Sequence, residues 1–326
     1  MIPVIAIGMQ MAEERRQMLA GLFHRDVRLG FLAGLTGESR EDLLRDASVY
    51  LAWSPIQELG AGVLRAFRNL RMIQLLSAGA DHLPFSEIGQ DILIASNVGA
   101  YAEPMAEHVL AMMLALGKNL LREHAELGRG EFNQVRRNRR FRGMSCGIIG
   151  FGGIGKAVAG LLRPLGMSIM AINSSGRTEE AVQFIGTLAD LRTVLSRSDV
   201  IVITIPLTKA MRGMIGRDQL SWMKEDAILV NVARGAIVDQ EALYGHLVSH
   251  PEFRAGMDAW WVEPFGDGRF AVDHPFFSLP NFLGSPHNSA ITPGTAEHAL
   301  QRAVENIERF LDGVPVQGIV KREDYL

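Results

Sequence analysis

Cysteine, tryptophan, tyrosine and long apolar runs are all scarce in this 326-residue sequence. Its one cysteine, Cys146, excludes an internal disulfide, is typical of a reducing compartment and is predicted to lie buried in a strand. No stretch approaches about 18 consecutive apolar residues, and the N-terminal MIPVIAIGM lacks the basic lead of a signal peptide. These absences predict a soluble cytoplasmic protein without a membrane span.

Neither sign of charge is in large excess. The chain has 33 Lys and Arg against 36 Asp and Glu, a net charge of −3 and a pI near 6.3. This balance argues against a general nucleic-acid-binding or membrane-surface protein. The segment Arg136–Arg142 (RRNRRFR) is the one basic cluster, and acidic residues precede it. We interpret it as a solvated connector, with contact to a cofactor phosphate, another subunit or nucleic acid as the alternatives.

A glycine-rich turn between a predicted strand and a predicted helix is the first positive feature. The apolar run SCGII is followed at once by Gly150-x-Gly152-x-x-Gly155 and then by helical spacing. Gly150 permits the tight turn, Gly152 lets the backbone approach a pyrophosphate, and Gly155 allows close helix–strand packing. The next strand completes a βαβ unit, which favours dinucleotide binding at the helix N-terminus over a purely structural turn. The residues assigned to this site are Gly150, Gly152, Gly153, Ile154 and Gly155.

The segment after that second strand predicts which dinucleotide is used. NAD sites usually place Asp or Glu there, but this chain has Asn173, Ser174, Ser175 and Arg177 around Gly176. A carboxylate about 4 Å from a 2′-phosphate would be repelled by about 4 kcal/mol at an effective dielectric near 20. Asparagine removes that repulsion, and the serines and the arginine can bind the phosphate. We therefore expect NADP(H) to be preferred, with NAD(H) possible; a polar loop with a solvated arginine is the alternative.

Strands and helices alternate along the chain, which predicts an α/β fold with parallel sheets covered on both faces. Residues 98–287 are assigned to a Rossmann dinucleotide-binding domain, and residues 1–97 with 288–326 to a discontinuous substrate domain. The predicted strands lie near Val4–Gly8, Val49–Trp53, Ile73–Leu76, Ile92–Ser96, Ser145–Ile149, Met167–Ile172, Val200–Ile205, Ile228–Val232, Phe253–Asp258 and Phe282–Ser285. The predicted helices include Ala12–Phe23, Arg40–Asp46, Gly60–Phe67, a long apolar helix Glu103–Leu121 buried between domains or subunits, and Thr295–Leu311.

Three side chains that follow later strands supply a cation, a carboxylate and an imidazole. Arg234 lies in NVARG, Glu263 in WVEP and His287 in SPHNSA. An arginine can hold a 2-oxo acid through its carboxylate and keto oxygen. A histidine can exchange the hydroxyl proton, and a neighbouring carboxylate would orient the ring and stabilise the imidazolium. Each residue alone has a structural alternative, but their occurrence together with a dinucleotide turn predicts a nicotinamide-dependent dehydrogenase.

From about residue 77 to residue 290 the chain resembles the D-isomer-specific 2-hydroxyacid dehydrogenase family. The matching stretches are LSAGADHL, NVGAYAEPMAEHVLAMML, GIIGFGGIGKAVA, SDVIVITIPLTKAMRGMI, NVARGAIVDQEAL, MDAWWVEP and SPHNSAIT. The resemblance implies a Rossmann domain, a flavodoxin-like substrate domain and a homodimer formed through the long helix. It also implies that Arg234 binds substrate, that His287 is the acid/base and that Glu263 is its partner.

The same resemblance implies further site residues. Asp258 would hold the nicotinamide carboxamide, and Pro206 would line the adenosine side, with Val232 also assigned to the cofactor site. The backbone amides of Ala78 and Gly79, next to Ser77, would hold the substrate carboxylate.

Departures from the family pattern narrow the expected function. Asn173 replaces the common aspartate, and Trp260 and Trp261 stand where smaller residues or phenylalanine are usual; they either shape a pocket or only pack. Glu263 argues against formate dehydrogenase, and the short segment after the last helix makes phosphoglycerate oxidation less expected. We predict an NADPH-dependent reductase of glyoxylate or hydroxypyruvate. The alternative is a dinucleotide-binding sensor or corepressor-like protein with little turnover.

Overall fold

The computed structural model describes residues 2–326 and divides them into two compact units. Unit 1 holds the described residues up to Ala100 together with Pro293–Leu326, and unit 2 holds Tyr101–Thr292. Both junctions lie close to the predicted ones at 97/98 and 287/288. The residues that follow His287, up to Thr292, thus belong to unit 2 rather than to unit 1. No helix within residues 2–326 has both the length and the apolar character needed to cross a membrane.

Unit 1 contains a five-stranded parallel sheet in the order β2-β1-β3-β4-β5, which is the flavodoxin-like order. Its strands are β1 (Val4–Ile7), β2 (Arg28–Phe31), β3 (Val49–Ala52), β4 (Met72–Leu75) and β5 (Leu93–Ala95). Its helices are α1 (Glu13–Gly21), α2 (Gly37–Asp46), α3 (Pro55–Leu59) and the C-terminal α11 (Thr295–Leu311). Apolar residues of α2 pack on one face of the sheet, and those of α1 and α11 pack on the other. The central strands read as continuous apolar runs because both faces are covered.

Two features of unit 1 differ from the sequence prediction. The helix predicted at Gly60–Phe67 is wrong: Gly60 and Gly62 adopt φ values of +84° and +82° and separate α3 from a short 3₁₀ turn at Val63–Ala66. Strand β2 was not predicted, because this edge strand (RLGF) is only partly buried and contains a glycine, so it lacks the continuous apolar run of the inner strands.

Unit 2 contains a seven-stranded parallel sheet in the order β8-β7-β6-β9-β10-β11-β12. Its strands are β6 (Ser145–Ile149), β7 (Ser168–Ile172), β8 (Phe184–Gly186), β9 (Val200–Ile203), β10 (Ile228–Asn231), β11 (Arg254–Met257) and β12 (Phe282–Gly284). Its helices are α4 (Ala102–Gly117), α5 (Leu120–Gly128), α6 (Gly153–Leu162), α7 (Leu191–Arg197), α8 (Arg217–Trp222), α9 (Gln240–Ser249) and α10 (Pro264–Asp267). The strand order reverses between β6 and β9, as in a Rossmann sheet extended by one strand. The predicted α/β fold with two parallel sheets is confirmed.

The long apolar helix is shorter than predicted. It ends at Gly117, and Asn119, with a φ of +53°, separates α4 from α5, so the continuous helix to Leu121 is wrong. Within unit 2, α4 packs against α6 and the β10–β11 part of the sheet, and Met112 and Met113 are buried there. Much of its apolar surface is thus covered inside its own unit. Cys146 is buried in β6, as predicted.

The arginine-rich segment is held against unit 2 by ion pairs. Arg136 donates to Glu123 at 2.9 Å and to both carboxylate oxygens of Glu126 at 2.6 and 2.8 Å. Hydrogen bonds from Arg136, and then from Arg122, lower the pKa of Glu126 to about 2. Arg139 pairs with Asp226 at 3.0 Å. Arg136 and Arg139 are therefore fixed by specific pairs, whereas Arg137, Arg140 and Arg142 are exposed to solvent, as expected of a solvated connector.

Candidate active site

Most predicted site residues lie in the loops that follow the strands of unit 2. Because all seven strands are parallel, their carboxyl ends form one edge of the sheet, where ligands bind in folds of this type. The glycine turn 150–155 follows β6, Asn173–Arg177 follows β7, Pro206 follows β9, Val232–Arg234 follows β10, Asp258–Glu263 follows β11 and His287 follows β12.

The glycine turn has the geometry that a bound pyrophosphate requires. Gly150 has a φ of +105°, and an added Cβ would lie 2.8 Å from the backbone after β9. A Cβ on Gly155 would lie 2.3 Å from the carbonyl oxygen of Gly150, so this contact between helix and turn needs glycine. A Cβ on Gly152 would meet nothing within 4 Å, which leaves open space at the start of α6, where Gly153 and Ile154 begin the helix. The residues therefore fit a dinucleotide at the helix N-terminus.

The loop after β7 is closed by its own hydrogen bonds. Asn173 Oδ1 accepts from the amides of Ser175 and Gly176 at 3.1 and 2.7 Å, and Asn173 Nδ2 donates to the carbonyl of Arg177 at 2.8 Å. Ser174, Ser175 and Arg177 are exposed. No ion pair involves Arg177 among residues 2–326, so an exposed cation and two hydroxyl groups surround a neutral asparagine. An exposed guanidinium and hydroxyl groups are able to bind an anion such as a phosphate.

Arg234 is placed by a tightly constrained turn after β10. Asn231 is fully buried; its side chain accepts from the amide of Ala233 at 3.0 Å and donates to the carbonyl of Arg234 at 2.9 Å. A Cβ on Gly235 would lie 2.2 Å from the backbone carbonyl carbon of Trp260, so the turn after β10 lies directly against the segment after β11. The guanidinium of Arg234 is half-buried and donates to the Ala233 carbonyl at 2.9 Å.

Glu263 and His287 form the hydrogen-bonded pair that the sequence predicted. His287 Nδ1 lies 2.7 Å from Glu263 Oε2, and the other oxygen, Oε1, accepts from the amide of Trp260 at 2.6 Å. The carboxylate accepts from Nδ1, so Nε2 is the ring nitrogen left for a substrate. The His287 side chain is 37% exposed and that of Glu263 is 19% exposed, so the imidazole is accessible while its partner is shielded. The pair therefore has the geometry that an oriented acid/base requires.

The two tryptophans fasten the site loops and pack in the unit 2 core. Trp260 Nε1 donates to the Ser285 carbonyl at 2.8 Å, and Trp261 Nε1 donates to the Val238 carbonyl at 2.7 Å. The ring of Trp260 contacts Phe270 and Phe277, and that of Trp261 stacks on Phe276. Of the two alternatives left open by the sequence, the structure shows packing, with each indole also fixing a loop backbone.

The backbone of His287 is in the left-handed region, with a φ of +52°. For a residue other than glycine this conformation costs about 1–2 kcal/mol, so surrounding contacts must hold it. Asp258 supplies three of them: its carboxylate accepts from Ser285 Oγ at 2.5 Å and from the amides of Asn288 and Ser289 at 3.2 Å each. Asp258 is therefore an anchor of the His287 loop.

Some cofactor residues predicted from the family are not exposed in unit 2. The side chains of Asp258 and Val232 are fully buried, whereas Pro206 is exposed. Contact of Asp258 with a carboxamide and of Val232 with a cofactor stays a prediction.

The predicted substrate-carboxylate loop belongs to unit 1 and follows β4. Ser77 Oγ donates to the Gly79 carbonyl at 2.7 Å, and the Ser77 carbonyl accepts from the amide of Asn97 at 2.9 Å. Within residues 2–326 the amides of Ala78 and Gly79 donate to no backbone carbonyl. These two amides therefore keep the donor capacity that an anion requires.

Sequence reasoning missed three groups that contact Asp258, Glu263 or the loop after β12: the Ser285 hydroxyl, the Trp260 backbone amide and the His108 side chain. Ser285 and Trp260 lie close in sequence to predicted site residues, and His108 lies in the family-like stretch AEHVLAMML. No spacing rule, however, links a residue of α4 to the loop after β12. His108 Nε2 lies 2.9 Å from Ser285 Oγ. Tertiary contacts of this kind leave no periodic pattern in a sequence.

Comparisons with known proteins identify the family of this chain. The family model described as D-isomer specific 2-hydroxyacid dehydrogenase, NAD binding domain, matches residues 110–289. A hydroxypyruvate reductase of Thermotoga maritima is 32% identical over 77% of this chain and 79% of its own length. A D-3-phosphoglycerate dehydrogenase of Archaeoglobus fulgidus is 31% identical over 87% of this chain but 54% of its own length, so the chain spans about half of that relative.

Solved structures with the same fold include two that contain a dinucleotide. A D-isomer specific 2-hydroxyacid dehydrogenase from Xanthobacter autotrophicus Py2, in complex with NADPH and MES, superposes with a TM-score of 0.82 at 25% identity over the whole of both chains. A D-lactate dehydrogenase from Aquifex aeolicus, complexed with NAD and lactic acid, has a TM-score of 0.73 at 25% identity over 95% of this chain and 96% of its own. Both dinucleotides thus occur among similar proteins.

Proposed function

Since this chain belongs to the D-isomer-specific 2-hydroxyacid dehydrogenase family, a family of NAD(P)-dependent oxidoreductases, we propose that it reduces small 2-oxo acids with NADPH. Glyoxylate and hydroxypyruvate are the proposed substrates. The observation that carries the proposal is the 2.7 Å Glu263–His287 pair, with Arg234 at a neighbouring strand end of the same sheet. The proposed family was predicted from the sequence and is confirmed; the substrate and the reaction of this chain are our inference.

The proposed mechanism assigns each side chain one role. Arg234 binds the carboxylate and the keto oxygen of the substrate. Reduced nicotinamide, when bound, supplies the hydride that goes to the substrate C2. His287 then gives the proton on Nε2 to the oxygen that gains negative charge. Glu263 holds the ring through Nδ1 and stabilises the imidazolium before transfer, so the ring presents Nε2 in one orientation.

The proposed preference for NADPH rests on the loop after β7. Gly150, Gly152 and the start of α6 would hold the pyrophosphate, and Ser175 and Arg177 would hold the 2′-phosphate. The side chain of Asn173 is used within the loop and brings no negative charge, which supports binding of a phosphate at that place.

A homodimer is proposed from the surface of α5 and the segment after it. Leu120, Leu121 and Leu127 are each more than half exposed, and Phe132 and Val135 are 77% and 88% exposed. Apolar side chains clustered in this way favour a protein interface over solvent. Light scattering after size-exclusion chromatography tests this, with a Phe132→Ser/Val135→Ser variant expected to shift the protein toward monomer. A cytoplasmic location stays a prediction.

Steady-state oxidation of NADPH and of NADH in the presence of glyoxylate, hydroxypyruvate, pyruvate and phenylpyruvate tests the proposed function. We expect turnover with glyoxylate or hydroxypyruvate and a higher kcat/KM for NADPH. Tight dinucleotide binding without turnover of any acid would contradict the enzyme proposal and favour the sensor alternative. Turnover with a clear preference for NADH would contradict only the assignment of Asn173 and Arg177.

A further inference from the structure

The His287 loop needs external support because of its shape. Residues 285–289 turn sharply, with His287 at a φ of +52° between Pro286 and Asn288. Glu263 holds only the ring, through Nδ1. The direction in which Nε2 points therefore depends on the backbone of this loop as well as on the Glu263 contact.

Three hydrogen bonds from this loop converge on one buried carboxylate. Asp258 is fully buried; its Oδ1 accepts from Ser285 Oγ and the Asn288 amide, and its Oδ2 accepts from the Ser289 amide. Residues on both sides of His287 are thus fastened to the same side chain. Of the three donors, only Ser285 uses a hydroxyl that could rotate to another acceptor.

A histidine of another element completes this arrangement. His108 on α4 places Nε2 at 2.9 Å from Ser285 Oγ and at 3.7 Å from Asp258 Oδ1. The Ser285 hydroxyl has one proton, and the 2.5 Å contact with a carboxylate uses it. Ser285 Oγ must then accept from His108, so His108 carries a proton on Nε2. The chain of donors runs in one direction, from His108 to Ser285 to Asp258.

We propose that His108 is a positioning residue for the acid/base His287: by donating from Nε2 to Ser285 Oγ it fixes the serine hydroxyl on Asp258 and so holds the loop that carries His287. His108 touches neither the reacting atoms nor Glu263 in the structure. Its effect is on the orientation of Nε2 of His287 and therefore on the chemical step more than on substrate binding. This inference rests on the proposed role of His287.

Substitutions at His108 separate the donor from simple packing. His108→Leu removes the donor, whereas His108→Gln places an amide N–H near the position of Nε2. We expect His108→Leu to lower kcat about tenfold or more, with the KM values for keto acid and NADPH within about twofold of wild type. His108→Gln should recover most of the lost kcat. The control is Glu107→Leu, an exposed neighbour on the same helix, which should leave kcat unchanged.

A double-substitution cycle tests the proposed chain directly. Ser285→Ala breaks the same chain, so His108→Leu in that background should cause little further loss of kcat. Unchanged kcat in His108→Leu, a loss that glutamine does not rescue, or additive losses in the double variant would each overturn the proposal.

A measurement on the resting protein needs neither turnover nor a variant. Long-range ¹H–¹⁵N spectra of the imidazole groups report which ring nitrogen of His108 carries the proton. We expect the Nε2–H form in wild type, and a changed His287 imidazole signal in His108→Leu but not in Glu107→Leu. A neutral His108 protonated on Nδ1 alone would overturn the proposal even if His108→Leu did not fold. An inactive wild type with these spectra would instead contradict the proposed function and leave the positioning contact intact.

Discussion

The loop that would choose the dinucleotide and the loop that carries His287 lie at the same edge of the unit 2 sheet but are held in different ways. Asn173 closes the first loop through partners no more than four residues away, and the other side chains there are exposed. The His287 loop is held by Glu263, by Asp258 and by Trp260 Nε1, which all follow the preceding strand. One loop is a local structure; the other depends on contacts between strand ends.

This difference predicts how each loop responds to substitution. Within residues 2–326 the side chains of the loop after β7 form hydrogen bonds only inside that loop, so cofactor preference should be adjustable while the chemical step is preserved. In the His287 loop the contacts from Glu263, Asp258 and Trp260 hold a backbone with a positive φ. Replacing any one of these side chains should therefore reduce kcat sharply. The following predictions test the contrast, from the largest expected effect to the smallest.

Replacement of the proposed acid/base should have the largest effect. His287→Asn is preferred to alanine because asparagine tolerates a positive φ, so the backbone at +52° can be kept. We expect kcat to fall by about 10²-fold or more, since general acid catalysis contributes that much, while the Kd for NADPH changes little. Steady-state kinetics and fluorescence titration measure the two quantities. A near-normal kcat would refute the assignment.

Removal of the substrate cation should act mainly on binding. Arg234→Ala loses charge-assisted hydrogen bonds that are each worth about 1.5–3 kcal/mol, so we expect kcat/KM for the keto acid to fall about 10²-fold, mainly through KM. Arg234→Lys keeps the charge but not the fork and should recover only part of the loss. An unchanged KM in Arg234→Ala would show that the carboxylate is bound elsewhere.

Neutralising the partner of His287 should have an intermediate effect. Glu263→Gln removes the negative charge beside the imidazolium. The two oxygens of Glu263 accept from the Trp260 amide and from His287 Nδ1, whereas glutamine offers only its one amide oxygen to these two donors. We expect kcat to fall about tenfold, because stabilisation of the proton donor is lost while much of the ring orientation remains. Glu225→Gln, a charge change away from the site loops, serves as the control. A loss as large as that of His287→Asn would instead indicate a collapsed loop.

Changing the loop after β7 should alter selectivity and little else. Asn173→Asp combined with Arg177→Ala adds one negative charge and removes one positive charge next to the proposed 2′-phosphate. We expect the ratio of kcat/KM for NADPH to that for NADH to fall about tenfold or more, with screening by solvent limiting the effect. Glu179→Gln, an exposed charge change just beyond the loop, is the control. If the ratio does not move, the phosphate is not bound here.

The smallest expected effect is on the stability of the fold at acidic pH. It is measured by unfolding and not by activity. Burial, followed by repulsion from His250, lowers the pKa of His246 from its ordinary value of 6.5 to about 4. Between these values the unfolded chain binds more protons, so the free energy of unfolding should decrease as the pH falls from about 6.5 to 4. Tm measured across this window should fall in wild type and less steeply in His246→Gln. Equal slopes would contradict a neutral His246 in the folded state.

The inner strands and the glycine turn were predictable because their patterns are local. The apolar run of β6 followed by Gly150-x-Gly152-x-x-Gly155 requires only a strand, a turn and a helix, and the structure shows this order. The break after α4 was missed although Gly117 ends the helix and Asn119 adopts a positive φ, because the apolar spacing resumes at Leu120 and suggests that the helix continues. The edge strands β2 and β8 were missed because they are short and only partly buried.

By itself the sequence determined that Arg234, Glu263 and His287 each follow a strand, and that an asparagine stands where a carboxylate is usual. Only the tertiary structure decided which atoms meet: Nδ1 of His287 on Glu263, Gly235 against the backbone of Trp260, and His108 on Ser285. The physical reason is that a sequence pattern reports which face of one element is buried. Contacts between loops depend instead on the register of neighbouring strands and on backbone approaches that no single segment specifies.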